Sequence, residues 1–110
     1  MDPKNTAQKF DSEKIRFELI PPSALEEVAS VFTYGSIKYS DLNWAKGLHF
    51  SRLFGACMRH LWAWYRNEDH DPESGYNHLA HAACNIFMLL HFQKSLNQIF
   101  DDRPFKENTK

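Results

Sequence analysis

Two cysteines in 110 residues rule out a small disulfide-stapled scaffold. Cys57 and Cys84 both lie inside apolar runs, where a reduced thiol behaves as a small hydrophobe. They could pair only if their helices met at those points. Neither sign of charge dominates: the formal net charge is −1, so there is no basic field to hold nucleic acid nonspecifically. Long apolar runs are also missing. The longest, around Ile86–Leu90, falls far short of the roughly 20 residues that span a bilayer. The polar opening MDPKNTAQKF does not read as a signal peptide, and no internal repeat is visible. These absences predict a single soluble cytoplasmic domain over 1–110, partnered by neither membrane nor nucleic acid. Its core is expected over about 10–100, with flexible tails at 1–9 and 101–110. What is plentiful is apolar and aromatic content, 43% and 15%, enough for a real core.

Periodicity predicts an all-α chain with a short extended N-terminal segment. Ile15, Phe17 and Leu19 alternate with Arg16 and Glu18, as in a strand-like stretch with one buried face, until Pro21-Pro22 stops it. Ser23-Ala24-Leu25-Glu26 reads as a capping box opening a helix to about Tyr39, its apolar face formed by Leu25, Val28, Ala29 and Phe32. Gly35, late in that helix, would permit close approach by another element. Residues 40–50 read as a loop. Ser51 can cap a second helix to about Arg66, and Asn77 a third from His78 to about Phe100. That third helix is apolar nearly all round, which places it centrally or in a subunit interface. Three such helices make a thin core, better buried if subunits join into a larger bundle.

Packing alone does not explain residues 57–85. Arg52, Arg59 and Arg66 recur every seven residues along the second helix, as a solvated face or as an anion site. Arg59, beside His60 and midway along the helix, is the best anion candidate. His60 shares a face with Leu53, Cys57, Leu61 and Trp64, where a lone histidine is more often a hydrogen-bonded core residue than a ligand. His78 and His81 change that balance, because i and i+3 share a helix face, with Asn85 a turn further on. Three histidines near Glu68, Asp69, Asp71 and Glu73 could build a metal site, though the spacing matches no strong zinc signature. Tyr34, Tyr39 and Trp44 flank a loop with Lys38, Asn43 and Lys46. They form either packing residues or a flat surface for a purine, with an amide to read its edge.

The segments GSIKYSDLNW, RHLWAW and DPESGYNHLAHAACN, within residues 9–92, resemble the phage-rich family described as the N-terminal domain of dATP/dGTP diphosphohydrolases. That family is similar in turn to MazG-like nucleotide pyrophosphohydrolases. The resemblance implies an antiparallel MazG-like helical bundle, a homo-oligomer (dimer or tetramer) in the cytoplasm of a phage-infected or prophage-bearing bacterial cell. It also implies a divalent metal (Mg2+ or Mn2+, with Zn2+ as an alternative) and conversion of purine dNTP to dNMP and pyrophosphate. On that reading Glu27, Asp71 and Glu73 are catalytic and share the metal with His78 and His81. The nucleotide falls to Tyr34, Lys38, Tyr39, Asn43, Trp44, Arg59 and His60. The E-x-x-E and E-x-x-D pairs of MazG-like enzymes are absent at their expected helical places, where His78 and His81 stand instead. The alternative is a non-catalytic phage protein that sequesters a nucleotide immune signal. A His70-Asp71 doublet is similar to HD-type phosphohydrolases, but it sits beside Pro72 in a loop and not on a helix.

Overall fold

The computed structural model describes residue 7, residues 13–95 and residues 99–105. The expectation for the rest of 1–9 lies outside the described residues. Among the described residues three α-helices carry the fold: α1 Pro22–Lys38, α2 Phe50–Tyr65 and α3 His78–Lys94. No strand occurs among the described residues, so the domain is all-α. The expected extended N-terminal segment is instead a short 3-10 turn over Phe17–Leu19. Ile15, Phe17 and Leu19 are all exposed, so their alternation buries no face.

Each helix starts by a different device. α1 opens on Pro22 with extended Pro21 before it and no side-chain cap, so Ser23 does not cap as expected. Proline suits this first position because its missing N–H is one the helix would leave unpaired anyway. Nor does Ser51 cap α2. That helix begins one residue earlier, and a carboxylate from the far end of the chain serves its N-terminus: Asp102 accepts from the Ser51 backbone N–H at 2.9 Å and from the Ser51 hydroxyl at 2.6 Å. Asn77 does cap α3 as read, accepting from the Leu79 N–H at 2.8 Å.

α3 is the central element and packs against both α2 and α1. One buried cluster joins Val31 to Ala80 and Cys84; the other joins Phe50 and Leu53 to Phe92. Met88 packs against both and links them. Val31, not Leu25 or Ala29, is the buried residue of α1. Gly35 does not mediate close approach either, since a Cβ there would meet nothing within 4 Å. Both cysteines are free and buried, with Cys57 Sγ 3.7 Å from the Ala82 carbonyl oxygen. Burial raises both thiols, that of Cys84 to about 12, which makes them poor nucleophiles.

α3 stops at Lys94, short of the expected Phe100, with Ser95 as its C-cap, and residues 100–103 lie across the start of α2. The Phe50 N–H bonds the Phe100 carbonyl at 2.9 Å, and the Phe100 ring lies against Gly47. Residues 101–103, expected in a flexible tail, are held there too: Arg103 pairs with Asp101 and lies over the Phe50 ring.

Gly47 adopts φ +114, and a Cβ there would collide with Phe100. Gly47→Ala should therefore destabilise the domain by about 1–3 kcal/mol, the usual cost of overpacking, with backbone strain in addition. Asp102→Ala should lower the melting temperature and Asp102→Asn should lower it less, since an amide oxygen still accepts. Thermal denaturation followed by circular dichroism measures all three variants.

Candidate functional site

Three local features bring the polar residues of 60–81 to one place. First, α2 ends in a left-handed turn: Asn67 has φ +75, its N–H bonds Trp64, and the Glu68 N–H reaches back to Ala63 at 3.0 Å. This paired closure satisfies the last carbonyls of α2 and turns Glu68 back toward the helix start that follows. Second, the connection folds on itself. An isolated bridge joins His70 to Asn77, the Asp71 N–H bonds the Tyr76 carbonyl, and Gly75, at φ +82, donates to the Asp71 carbonyl at 2.7 Å. Glycine is the residue that takes this φ without steric cost. Asp71 Oδ1 also accepts from the Glu73 N–H at 2.9 Å, which fixes the carboxylate. Third, the Asn77 cap starts α3 so that His78 and His81 occupy its first turn.

Across the α2–α3 seam the histidines form one cluster. His60 Nδ1 lies 2.8 Å from His78 Nδ1, and the His60 and His81 rings stack at 4.5 Å with 7° between their planes. His78 Nε2 meets Glu68 Oε1 at 2.8 Å. His81 Nε2 meets the Ser74 hydroxyl at 2.7 Å and stands 3.7 Å from Asp71 Oδ2. Burial pushes His60 down to about 4, helped by His81, His78 and Arg59 and opposed by Asp71. His81 is lowered as well, again chiefly by burial, against the pull of Asp71. Its 3.7 Å contact with Asp71 is too long for a hydrogen bond, and burial disfavours the charged form of the ring.

His60, Asp71 and His81 each offer one ligand atom, all within 4.8 Å of one another. Two unprotonated imidazoles and a carboxylate match a transition-metal donor set, with positions left open. Metal–ligand bonds of about 2.0–2.2 Å hold ligand atoms closer than this, so binding would draw the three together. Because the two rings stack in parallel, one must also turn for both lone pairs to meet at one point.

This cluster forms one wall of a cleft of about 960 Å³ between α1, the 40–48 loop and α3. Of the residues picked out in the sequence, Tyr34, Lys38, Tyr39, Asn43 and Trp44 line it from the first side. His60, Asp71, Glu73 and His81 line the other. Lys38 Nζ pairs with Glu73 Oε2 at 3.2 Å across the exposed rim and lies near the Tyr34 and Tyr39 rings. Trp44 is half packed, edge-on to His91 and Phe92. Glu27, exposed on α1, and Arg59, exposed on α2, do not line the cleft, so the fold does not bring them to the residues expected beside them. His78 does not line it either. It is buried behind His60 with both ring nitrogens engaged, which removes it from the expected ligand set. Ser74, to which the sequence reading gave no role, holds His81, and Asn85, 8% exposed, lines the floor. Only their offsets of seven before and four after His81 hinted at either.

An all-α domain with a histidine–carboxylate cluster at the wall of an aromatic cleft is the class these features define. The chain matches the family described as dATP/dGTP diphosphohydrolase, N-terminal, over residues 4–103, and it belongs to that family. It is 42% identical over 84 residues to a protein of Salmonella phage PMBT28 named dATP/dGTP diphosphohydrolase. The match covers 76% of this chain and 29% of the phage protein, so the chain spans under a third of that relative's length. No solved structure matches. No helix among the described residues is long and apolar enough to cross a membrane.

The lowered His60 value gives a signed pH dependence. The unfolded chain binds a proton on this ring near pH 6.5 and the folded chain only near 4, so stability is full above that window and falls as pH drops through it. The loss attributable to His60 should be at most about 3 kcal/mol, less to the extent that solvent reaches the ring. Urea unfolding at pH 7 and pH 4.5 should show it, and His60→Leu should have a flatter slope.

Proposed function

We propose that the cleft binds a purine deoxynucleoside triphosphate with a divalent metal and hydrolyses it to monophosphate and pyrophosphate. The observation that carries this reading is the convergence of His60, Asp71 and His81 on one wall of a cleft large enough for a nucleotide. Family membership and the phage relative's name support the substrate class.

The roles follow from placement. His60, Asp71 and His81 hold the metal. Bound there, it would neutralise phosphate charge and lower the pKa of a water. Two imidazoles with one carboxylate suit Mn2+ or Zn2+ better than Mg2+, which prefers an oxygen cage. Lys38 leaves Glu73 to meet a phosphate oxygen, and the freed Glu73 carboxylate takes a proton from the attacking water. That water adds to the α-phosphorus, the bond to the bridging oxygen breaks, and pyrophosphate leaves with the electron pair. Tyr34 and Tyr39 flank the base, with Asn43 and Asn85 as amides able to read its edge. A second copy of the chain covers the apolar surfaces of α2 and α3, giving a dimer or tetramer.

One observation favours the sequestering alternative. Among the described residues only one group of three metal-ligating side chains forms, and it holds a single carboxylate. A nucleotide held by that site without turnover would act as a sink for a nucleotide signal.

Incubation of pure protein with dATP or dGTP plus Mn2+, Zn2+ or Mg2+, resolved by ion exchange, separates the readings. Monophosphate and pyrophosphate are expected, fastest with Mn2+ or Zn2+. Intact nucleotide recovered from the denatured complex would replace hydrolysis by sequestration, and absence of calorimetric binding would overturn both. Glu73→Gln should slow turnover about 10²–10⁴-fold, the usual share of a general base. Asp71→Asn should abolish metal-dependent turnover. Light scattering that gave a monomer would remove the oligomer.

A further inference from the structure

We propose that Glu68 and His78 are positioning residues that fix His60 in the tautomer carrying its proton on Nδ1, leaving Nε2 as the bare nitrogen. The chain of hydrogen bonds starts at Glu68. An ionised carboxylate only accepts, so at 2.8 Å from Glu68 Oε1 the His78 Nε2 must carry a hydrogen. A neutral His78 then has a bare Nδ1. The facing nitrogen, His60 Nδ1, lies 2.8 Å away, and one of the two must donate, so the hydrogen sits on His60. With that proton on Nδ1, the lone pair of a neutral His60 is on Nε2.

Burial makes the sequence of bonds strict. The His78 side chain is only 6% exposed, so water does not compete for either nitrogen. Glu68 is half exposed, yet the left-handed turn at Asn67 that ends α2 fixes its backbone. The cap at Asn77 does the same for His78. Two helix ends thus define the direction of a chain of hydrogen bonds reaching the cleft wall. Neutral imidazole free in water favours the opposite tautomer, with its proton on Nε2, so the arrangement is imposed by the fold and not by the ring.

The consequence rests on the metal reading above. A histidine ligand characteristically donates its other N–H to an acceptor, commonly a carboxylate, which orients the ring and raises its basicity. Here the acceptor of His60 is itself a histidine, and the carboxylate stands one residue further out. His78 is thereby reassigned from ligand to the group that orients one.

Histidine ¹⁵N–¹H long-range correlation spectra of the metal-free full chain at neutral pH read the tautomers directly. The expected result is a His60 proton on Nδ1 and a His78 proton on Nε2. Glu68→Ala, a change at a half-exposed position, should keep the fold by circular dichroism while His60 shifts toward the Nε2-protonated form. Its affinity for Mn2+ or Zn2+ should fall about 10–100-fold, the usual effect of losing an outer partner. A wild-type His60 protonated on Nε2, as a doubly protonated His78 would enforce, overturns the proposal; so does an unchanged His60 tautomer in Glu68→Ala. The proposed tautomer in a protein that binds neither ion would uphold the relay and overturn the metal reading alone.

Discussion

The site depends on how closely α2 approaches α3. Cys57 Sγ touches the Ala82 backbone carbonyl, and Ala82 is 2% exposed, so at this point a side chain meets main chain directly. Helices faced with leucines stand further apart. From that contact the antiparallel geometry does the rest. His60 lies one turn beyond Cys57, and His78 lies one turn before Ala82, which is why their rings meet at hydrogen-bond distance. A bulkier residue at 57 or 82 would separate the helices and break the chain from Glu68 to His60 before it altered any polar group.

Legibility in the sequence followed the range of the interaction responsible. The three helices and the Asn77 cap rest on local pattern, and the nearly all-round apolar character of α3 marked it as central, so each was readable. Ser23 and Ser51 looked like caps by the same local rule. They fail because Pro22 opens α1 without one and because α2 takes its cap from Asp102, half the chain away. The end of α3 was equally hidden: it stops at Lys94, where the Ser95 N–H and hydroxyl both bond the Phe92 carbonyl, inside a run that reads as apolar helix to Phe100. In the site, the i, i+3 spacing gave His78 and His81 a common face. Their division of labour was not visible, because it turns on the backward swing of Glu68 after Asn67. Arg59 stood out for being next to His60, but neighbours in a helix point in different directions, and its guanidinium lies outside the cleft.

The core is thinner than the composition suggests. Among the described residues no large side chain is fully buried, while Phe54, Trp62 and Tyr65 on α2 and Leu79, Ile86 and Leu90 on α3 remain substantially exposed. On each helix these recur at helical spacing, so they form stripes and not scattered surface residues. A contiguous apolar stripe on two neighbouring helices is costly in water. A second copy would present the same stripes, which is the physical basis for the proposed oligomer.

The electrostatics of the cleft wall follow from crowding. Burial chiefly, then His81 and His78, raise the cost of a proton on His60, and burial with His78 does the same for His81. Asp71 opposes this but is outweighed by burial, its Oδ1 held by the Glu73 N–H and its Oδ2 3.7 Å from His81. A single proton concentrates its charge on one ring, the least favourable arrangement in such a place. A divalent cation spreads its charge over several ligands and includes the carboxylate among them. The features that keep protons off His60 and His81 therefore leave their lone pairs available, which is what the proposed metal site requires.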